Sequence, residues 1–294
     1  MLSVGVIETT LSLSAKTFHI IKNQNTNIMK KLFIVLAAVA MIFVSCKKDN
    51  KDNSPVNPTP SIAEQIVGKW LYVESDGELV ETYESSVTTF YLEGSTLKAY
   101  TSISNSLYDV WAYRTPTDVQ IDGDKITLIM REGDLMMMEE FTDITISGDD
   151  LRYTSMYKVI LNGEVIVDFG PNQLHCVKVH DDYSQIILGR WEGTITSDEP
   201  GFDPQPFCEK YLSDGTNIEY ELINGQWVEV ETDYAEYFVD GNMLFTRWQY
   251  PGYEEERENS VFVSYIDNTL IVKEVVMHNG ELYTETSTLH KVNE

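Results

Sequence analysis

Ile66-Val67-Gly68-Lys69-Trp70 returns further along the chain as Ile187-Leu188-Gly189-Arg190-Trp191. Asp122-Gly123-Asp124 likewise returns as Asp240-Gly241-Asn242, and Asn162-Gly163-Glu164 as Asn279-Gly280-Glu281. Leu174-His175-Cys176-Val177-Lys178-Val179 is answered by Leu289-His290-Lys291-Val292. Order and spacing hold throughout, which chance matches do not do, and self-similarity of this kind outranks any local assignment. The chain therefore carries two copies of one domain, at 61–180 and 181–294. Each copy falls in the commonest domain range of roughly 100–150 residues. The joint, His180-Asp181-Asp182-Tyr183, is short, so the copies are expected to touch.

Within each copy, runs rich in Val, Ile, Thr, Tyr and Phe alternate with Gly, Asp and Asn turns, the pattern of antiparallel strands. Asp122-Gly123, Asn162-Gly163, Asn224-Gly225 and Asn279-Gly280 are the dipeptides that two-residue hairpins favour, because both central residues need positive φ. Lys125–Met130 and Asn268–Lys273 read as strands after such turns. Ser61–Ile66 and Tyr183–Leu188 read as short helical entries, and neither copy holds a long amphipathic helix. About eight strands fit each copy, the number of a small closed barrel. The expected fold is all-β: two tandem small antiparallel up-and-down β-barrels, each with a short N-terminal helix.

Ahead of the repeats stands Met29-Lys30-Lys31, then an apolar run from Leu32 to Val44, then Ser45-Cys46. A basic start, a short hydrophobic segment and a small residue at the cut site make 29–45 a secretory signal peptide. The run is shorter than the roughly 20 apolar residues of a membrane span. Phe43-Val44-Ser45-Cys46 resembles the lipobox of bacterial lipoproteins. That resemblance implies a diacylglycerol on the Cys46 thiol, with palmitate-type acyl chains, and Cys46 as the first mature residue. Residues 46–60 are polar and proline-rich, with too little apolar surface to offset their ordering entropy, so they read as a flexible linker. Residues 1–28 resemble neither signal nor domain and read as a mis-assigned upstream start. Lys47-Lys48-Asp49 resembles the charged signal that carries Bacteroidota lipoproteins to the outer face of the outer membrane. The expected location is the bacterial outer membrane, lipid-anchored and facing the periplasm or the cell surface.

Losing residues 1–45 removes Lys16, Lys22, Lys30, Lys31 and Glu8, which takes the formal charge from −26 to −29. Nucleic acid and anionic headgroups are repelled by such a surface, so no nucleic-acid partner is expected. With Cys46 assigned to lipid, Cys176 and Cys208 are either a pair or two thiols, and no framework of spacings demands the pair.

Gly68-Lys69-Trp70 and Gly189-Arg190-Trp191, the strand meander and the lipid anchor together resemble the lipocalin-like domain lipoproteins of Bacteroidota. The resemblance spans nearly the whole mature chain. It implies that Trp70 and Trp191 pack at the closed end of each barrel, and that Gly68 and Gly189 admit a close backbone passage. It also implies that Lys178 and Lys291, from the last strands, sit over these tryptophans in a cation–π contact. Thr232-Asp233-Tyr234-Ala235-Glu236-Tyr237 reproduces a second lipocalin motif but falls too early after Trp191, and it is read as coincidence.

No catalytic constellation emerges, and the expectation is a non-enzyme with no cofactor and no metal. His175, His180, His278 and His290 lack helical zinc spacing, and no paired-cysteine site exists. His175 and His290, the repeat equivalents, read as structural or partly exposed. Glu254-Glu255-Glu256-Arg257-Glu258 lacks the spaced ligands of a calcium loop and reads as a solvated hairpin tip. Met136-Met137-Met138 reads as core packing, with Met136 and Met138 on one side. Tyr83, Phe90, Tyr91, Tyr100, Tyr108, Trp111 and Tyr113 cluster in the first copy. Tyr234, Tyr237, Phe238, Phe245, Trp248, Tyr250 and Tyr253 cluster in the second. Such rings line an apolar pocket, face a sugar or fill a core. The leading expectation is a membrane-anchored binding lipoprotein holding a small, partly apolar ligand. The alternative is a surface module for glycan or protein. No individual residue can be assigned to a ligand at this level.

Overall fold

The computed structural model describes residues 60–106 and 109–292. The signal segment, Cys46 and the linker up to residue 59 lie outside the described residues, as does Tyr108.

The first copy opens with one helical turn, α1 (Ile62–Gln65). A capping box starts it: Ser61 Oγ accepts from the Glu64 amide at 3.3 Å, and the Glu64 carboxylate accepts from the Ser61 amide at 2.7 Å. The second copy has only a turn at 184–186, where the Ile187 amide donates to the Tyr183 carbonyl at 3.0 Å. The expected N-terminal helix of each copy is therefore corrected. A single turn in one copy and an isolated turn in the other are too short to propagate as helices.

Strands follow as β1 (Gly68–Ser75), β2 (Glu78–Leu79), β3 (Ser86–Glu93), β4 (Thr96–Asn105), β5 (Val110–Asp122), β6 (Lys125–Glu132), β7 (Leu135–Ser147), β8 (Asp150–Leu161) and β9 (Glu164–Lys178). Each pairs antiparallel with the next, apart from β2, a two-residue ribbon on β1. β1 also pairs with β9, Trp70 opposite Lys178 and Leu71 opposite Val177, so eight strands close into a barrel. This closed meander is consistent with a lipocalin-like fold in general.

The second copy comprises β10 (Gly189–Ser197), β11 (Gln205–Tyr211), β12 (Asn217–Ile223), β13 (Gln226–Glu229), β14 (Tyr234–Asp240), β15 (Met243–Gln249), β16 (Glu256–Ile266), β17 (Thr269–His278) and β18 (Glu281–Val292). Its order, β13-β12-β11-β10-β18-β17-β16-β15-β14, leaves the two ends unjoined. The expected second closed barrel is thus an open, curled half-barrel. The free edge of β12 is taken by β13 from Tyr220 to Ile223, so β14 reaches β12 only by the Thr216–Glu236 bridge beside it.

The expected strands at 125–130 and 268–273 fall within β6 and β17, apart from Asn268 in the preceding turn. Asn162-Gly163, Asn224-Gly225 and Asn279-Gly280 have positive φ at both residues, as their hairpin turns demand. At Asp122-Gly123 the turn lies one residue later, with Asp122 ending β5 and only Gly123 at positive φ.

Each copy has its own core, around Trp70, Phe90 and Phe141 in the first and Trp191, Tyr211 and Phe262 in the second. A further cluster joins the outer faces of the copies: Leu71 and Val87 meet Met243 and Phe245, with Trp111 and Phe238 packed against them. Within this contact Asp240, only 1% exposed, accepts from Lys69 Nζ at 2.5 Å, Arg114 Nη2 at 3.1 Å and Ser102 Oγ at 2.7 Å. The copies touch through packed side chains and a satisfied buried carboxylate.

Candidate ligand chamber

Tryptophan closes one end of each unit in the same way. Trp70 Nε1 donates to the Ile66 carbonyl at 2.7 Å, and Trp191 Nε1 to the Ile187 carbonyl at 2.6 Å. Lys178 Nζ lies 5.3 Å from the Trp70 ring centre, and Lys291 Nζ 5.2 Å from that of Trp191. The structure therefore brings Gly68, Trp70 and Lys178 together, and Gly189, Trp191 and Lys291 together. What passes close to each glycine is a lysine side chain: a Cβ on Gly68 would meet Lys178 Cε at 2.8 Å, and one on Gly189 would meet Lys291 Cε at 3.2 Å.

Above Trp70 the inward residues of the closed barrel surround a chamber of about 240 Å³. Phe90, Phe141 and Leu151 lie near its floor, Tyr157 and Phe169 line it further up, and Tyr83 and Glu84 come from the turn between β2 and β3. Phe141 stacks on Tyr153 with ring centres 3.8 Å apart. The volume is below the roughly 300–1,000 Å³ typical of drug-sized sites, so any occupant is small.

One strand supplies the chamber's polar centre. Leu135, Met137 and Phe141 are buried on β7, and Glu139 shares their inward phase because alternate strand residues face one side. Its Oε1 accepts from Ser155 Oγ at 2.8 Å and from Tyr153 Oη at 3.0 Å. Burial raises the Glu139 carboxyl above its usual range, and the two hydroxyls offset part of that rise. Burial also raises Glu84. The Cys176 thiol is pushed up first by burial and then by the Glu139 charge, which makes it inert packing. Among the described residues no Lys, Arg or His lines the chamber.

Strands of the second copy hold the chamber's rim. Asn259 Nδ2 donates to the carbonyls of Tyr83 at 3.0 Å, Ser104 at 3.2 Å and Thr82 at 3.4 Å. Thr82 Oγ1 accepts from the Val275 amide at 3.2 Å, and Glu81 accepts from the Met277 amide at 2.9 Å. Arg257 Nη1 reaches the carbonyls of Asn105 at 3.1 Å and Val110 at 2.6 Å.

The half-barrel's own interior space is about 110 Å³ and is lined by Glu209, Glu258, Glu274 and Glu285. Burial raises Glu209 to about 8. Burial and then the neighbouring Glu258 charge raise Glu274. Glu258 is crowded by strands yet keeps surface toward the open interior, so water reaches it.

Other expected features resolve as follows. Cys176 and Cys208 are free buried thiols. His175 is buried, with Nδ1 2.9 Å from Glu74 Oε2 and Nε2 2.7 Å from Asp150 Oδ1. It fastens β9 to β1 and β8, whereas its counterpart His290 is exposed beside Thr269. Met136 and Met138 share one side as expected and are half-buried, while Met137 is the one that faces the core. The acidic run at 254–258 begins in the hairpin between β15 and β16 with Glu254, Glu256 and Glu258 exposed, while Glu255 pairs with Arg257 and Arg247 and Glu258 also lines the half-barrel's interior. Of the first copy's clustered aromatics, among the described residues, Tyr83 and Phe90 line the chamber. Trp111 instead meets Phe238 at 4.6 Å between the copies. Among the described residues no group of three or more His, Cys, Asp or Glu is arranged to hold a metal ion. Sequence reasoning missed Glu139, Phe141, Tyr153 and Phe169; the available signal was a glutamate in phase with Leu135, Met137 and Phe141.

No family model and no curated protein matches the chain. Among solved structures it is similar to a protein of unknown function from the DUF3598 family of Nostoc punctiforme, at 11% identity over 78% of this chain and 97% of that one, with a TM-score of 0.17. The fold therefore rests on the strand pairing itself.

Proposed function

We propose that the protein is a lipid-anchored, non-enzymatic binding lipoprotein whose first barrel holds one small, partly apolar molecule. The observation that carries this reading is the chamber of about 240 Å³ inside the closed barrel, lined by aromatic and aliphatic side chains with the Glu139 carboxyl among them. An apolar space with few polar groups is what small-molecule sites commonly offer. The half-barrel supports the rim of the first barrel and is not assigned a second apolar ligand, because its smaller interior is lined by carboxyls. The finer family reading, a lipocalin-like lipoprotein of Bacteroidota at the outer membrane, rests on the lipobox resemblance at Cys46 and the doubled Gly-x-Trp.

Two measurements test the parts separately. Native mass spectrometry of gently extracted full-length protein should reveal a bound small molecule, and a panel of lipids and hydrophobic metabolites should raise its melting temperature. A clean apo mass with no thermal shift across the panel removes the binding reading. A Cys46→Ser variant should lose lipid labelling and membrane fractionation; persistent labelling removes the anchor reading. The surface-module alternative calls for a contiguous exposed aromatic patch, whereas Trp111, Phe238 and Phe245 are used between the copies.

A further inference from the structure

We infer that the chamber of the first barrel selects an amine: a small apolar body carrying one protonated nitrogen that meets Glu139. The inference rests on the binding reading above and adds the chemical class of the ligand.

Three features point the same way. Both hydroxyl donors, Ser155 Oγ and Tyr153 Oη, bond the same carboxyl oxygen, Oε1, so Oε2 receives neither of them. A ligand N–H can bond that oxygen. Second, among the described residues the lining holds two carboxyls, Glu139 and Glu84, and no basic side chain. A buried carboxylate without a cation is costly, and here only a proton or a cationic ligand can neutralise it from within the chamber. An anionic ligand such as a fatty acid meets like charge instead. Third, aromatic rings supply much of the remaining wall, among them Trp70, Phe90, Phe141 and Tyr153, whose hydroxyl bonds Glu139. Ring faces attract cations, most strongly where water is excluded. The formal charge of −26 adds a long-range field that draws cations toward the protein. The small volume limits the body to about one ring or a short alkyl chain.

An ammonium at Glu139 favours the ionised carboxylate and so opposes the rise that burial causes there. No bond within the ligand changes.

The test is calorimetric titration of the full-length protein with matched probes: 2-phenylethylamine, 2-phenylethanol and phenylacetate, and the same three head groups on a hexyl chain. The amines should bind about tenfold or more tighter than the alcohols, the margin expected of a charge-assisted hydrogen bond, with the carboxylates weakest. In Glu139→Gln the amine-to-alcohol ratio should fall to about one. Alcohols that bind as tightly as amines to the wild-type protein overturn the amine inference and leave apolar binding standing. An amine preference that survives in Glu139→Gln overturns the assignment to Glu139. If no probe binds, both the amine inference and the reading beneath it fall. The wild-type comparison decides the ligand class even if the variant does not fold.

Discussion

Asn259 of the second copy donates a 3.0 Å hydrogen bond to the carbonyl of Tyr83, the residue whose ring lines the first copy's chamber. The same amide reaches the Ser104 and Thr82 carbonyls, and Asn259 is only 1% exposed. Two segments of the rim are thus joined through one side chain, while the Thr82 carbonyl also accepts from the Ser85 amide at 3.0 Å. Asn259→Ala should leave buried carbonyls unpaired and lower stability by about 1–3 kcal/mol. It should also loosen the Tyr83 turn and speed ligand release. Chemical denaturation and stopped-flow dissociation of a bound probe check the two effects.

Asp240 joins the copies electrostatically. Its carboxylate takes Lys69, Arg114 and Ser102, all from the first copy. Asp240→Asn keeps the shape but leaves two cations facing a neutral amide. Because Lys69 and Arg114 are 18% and 44% exposed and solvent screens them, the loss should be about 1–3 kcal/mol. Calorimetry should show a lower melting temperature and a single transition separating into two.

Gly68 and Gly189 adopt φ of +141° and +104°, and a lysine side chain crosses close above each. Alanine at either position is strained by its backbone, and at Gly68 it also displaces Lys178 Cε from 2.8 Å. Gly68→Ala should destabilise by more than about 1 kcal/mol and move Lys178 off Trp70, with a smaller effect from Gly189→Ala. Urea denaturation followed by tryptophan fluorescence reads both consequences.

The carboxyl-lined half-barrel makes stability depend on pH in a stated direction. Glu209 rises from 4.5 to about 8 on folding, so the folded state holds its proton more tightly than the unfolded chain. The associated stability is fully present below the unfolded value and is lost as pH climbs from about 4.5 through 8. Glu258, Glu274 and Glu285 are raised as well and act in the same sense. Between pH 5 and 9 the loss should be on the order of 2–4 kcal/mol. Glu209→Gln should flatten the profile; an unchanged slope in that variant would show the pH dependence lies elsewhere.

Features written locally or twice were legible in the sequence. The doubled Gly-x-Trp, the lysine near the end of each last strand and the Asn-Gly hairpins required only spacing and turn chemistry. Long-range facts were not. Asp240 reads as a turn residue next to glycine, and nothing in its neighbourhood reveals Lys69 and Arg114 of the other copy. Closure was equally hidden, because it depends on whether β13 occupies the edge that β14 would need. Glu139 was obscured by its setting: Met136-Met137-Met138-Glu139-Glu140-Phe141 gives no clear polar alternation, and only the observed register fixes which face is inner.

The joint at Asp240 is asymmetric. The equivalent Asp122 of the first copy is exposed at the end of β5, and Arg190, standing where the first copy has Lys69, pairs with Glu192. Two different surfaces meet here, so the contact is of the head-to-tail kind, which between identical units has no reason to stop at two and builds rings or fibres. Divergence of the copies ends the series: the second copy presents no socket for another Asp122-type turn. Restoring that socket in the second copy and the plug in the first would convert a two-unit protein into a polymerising one.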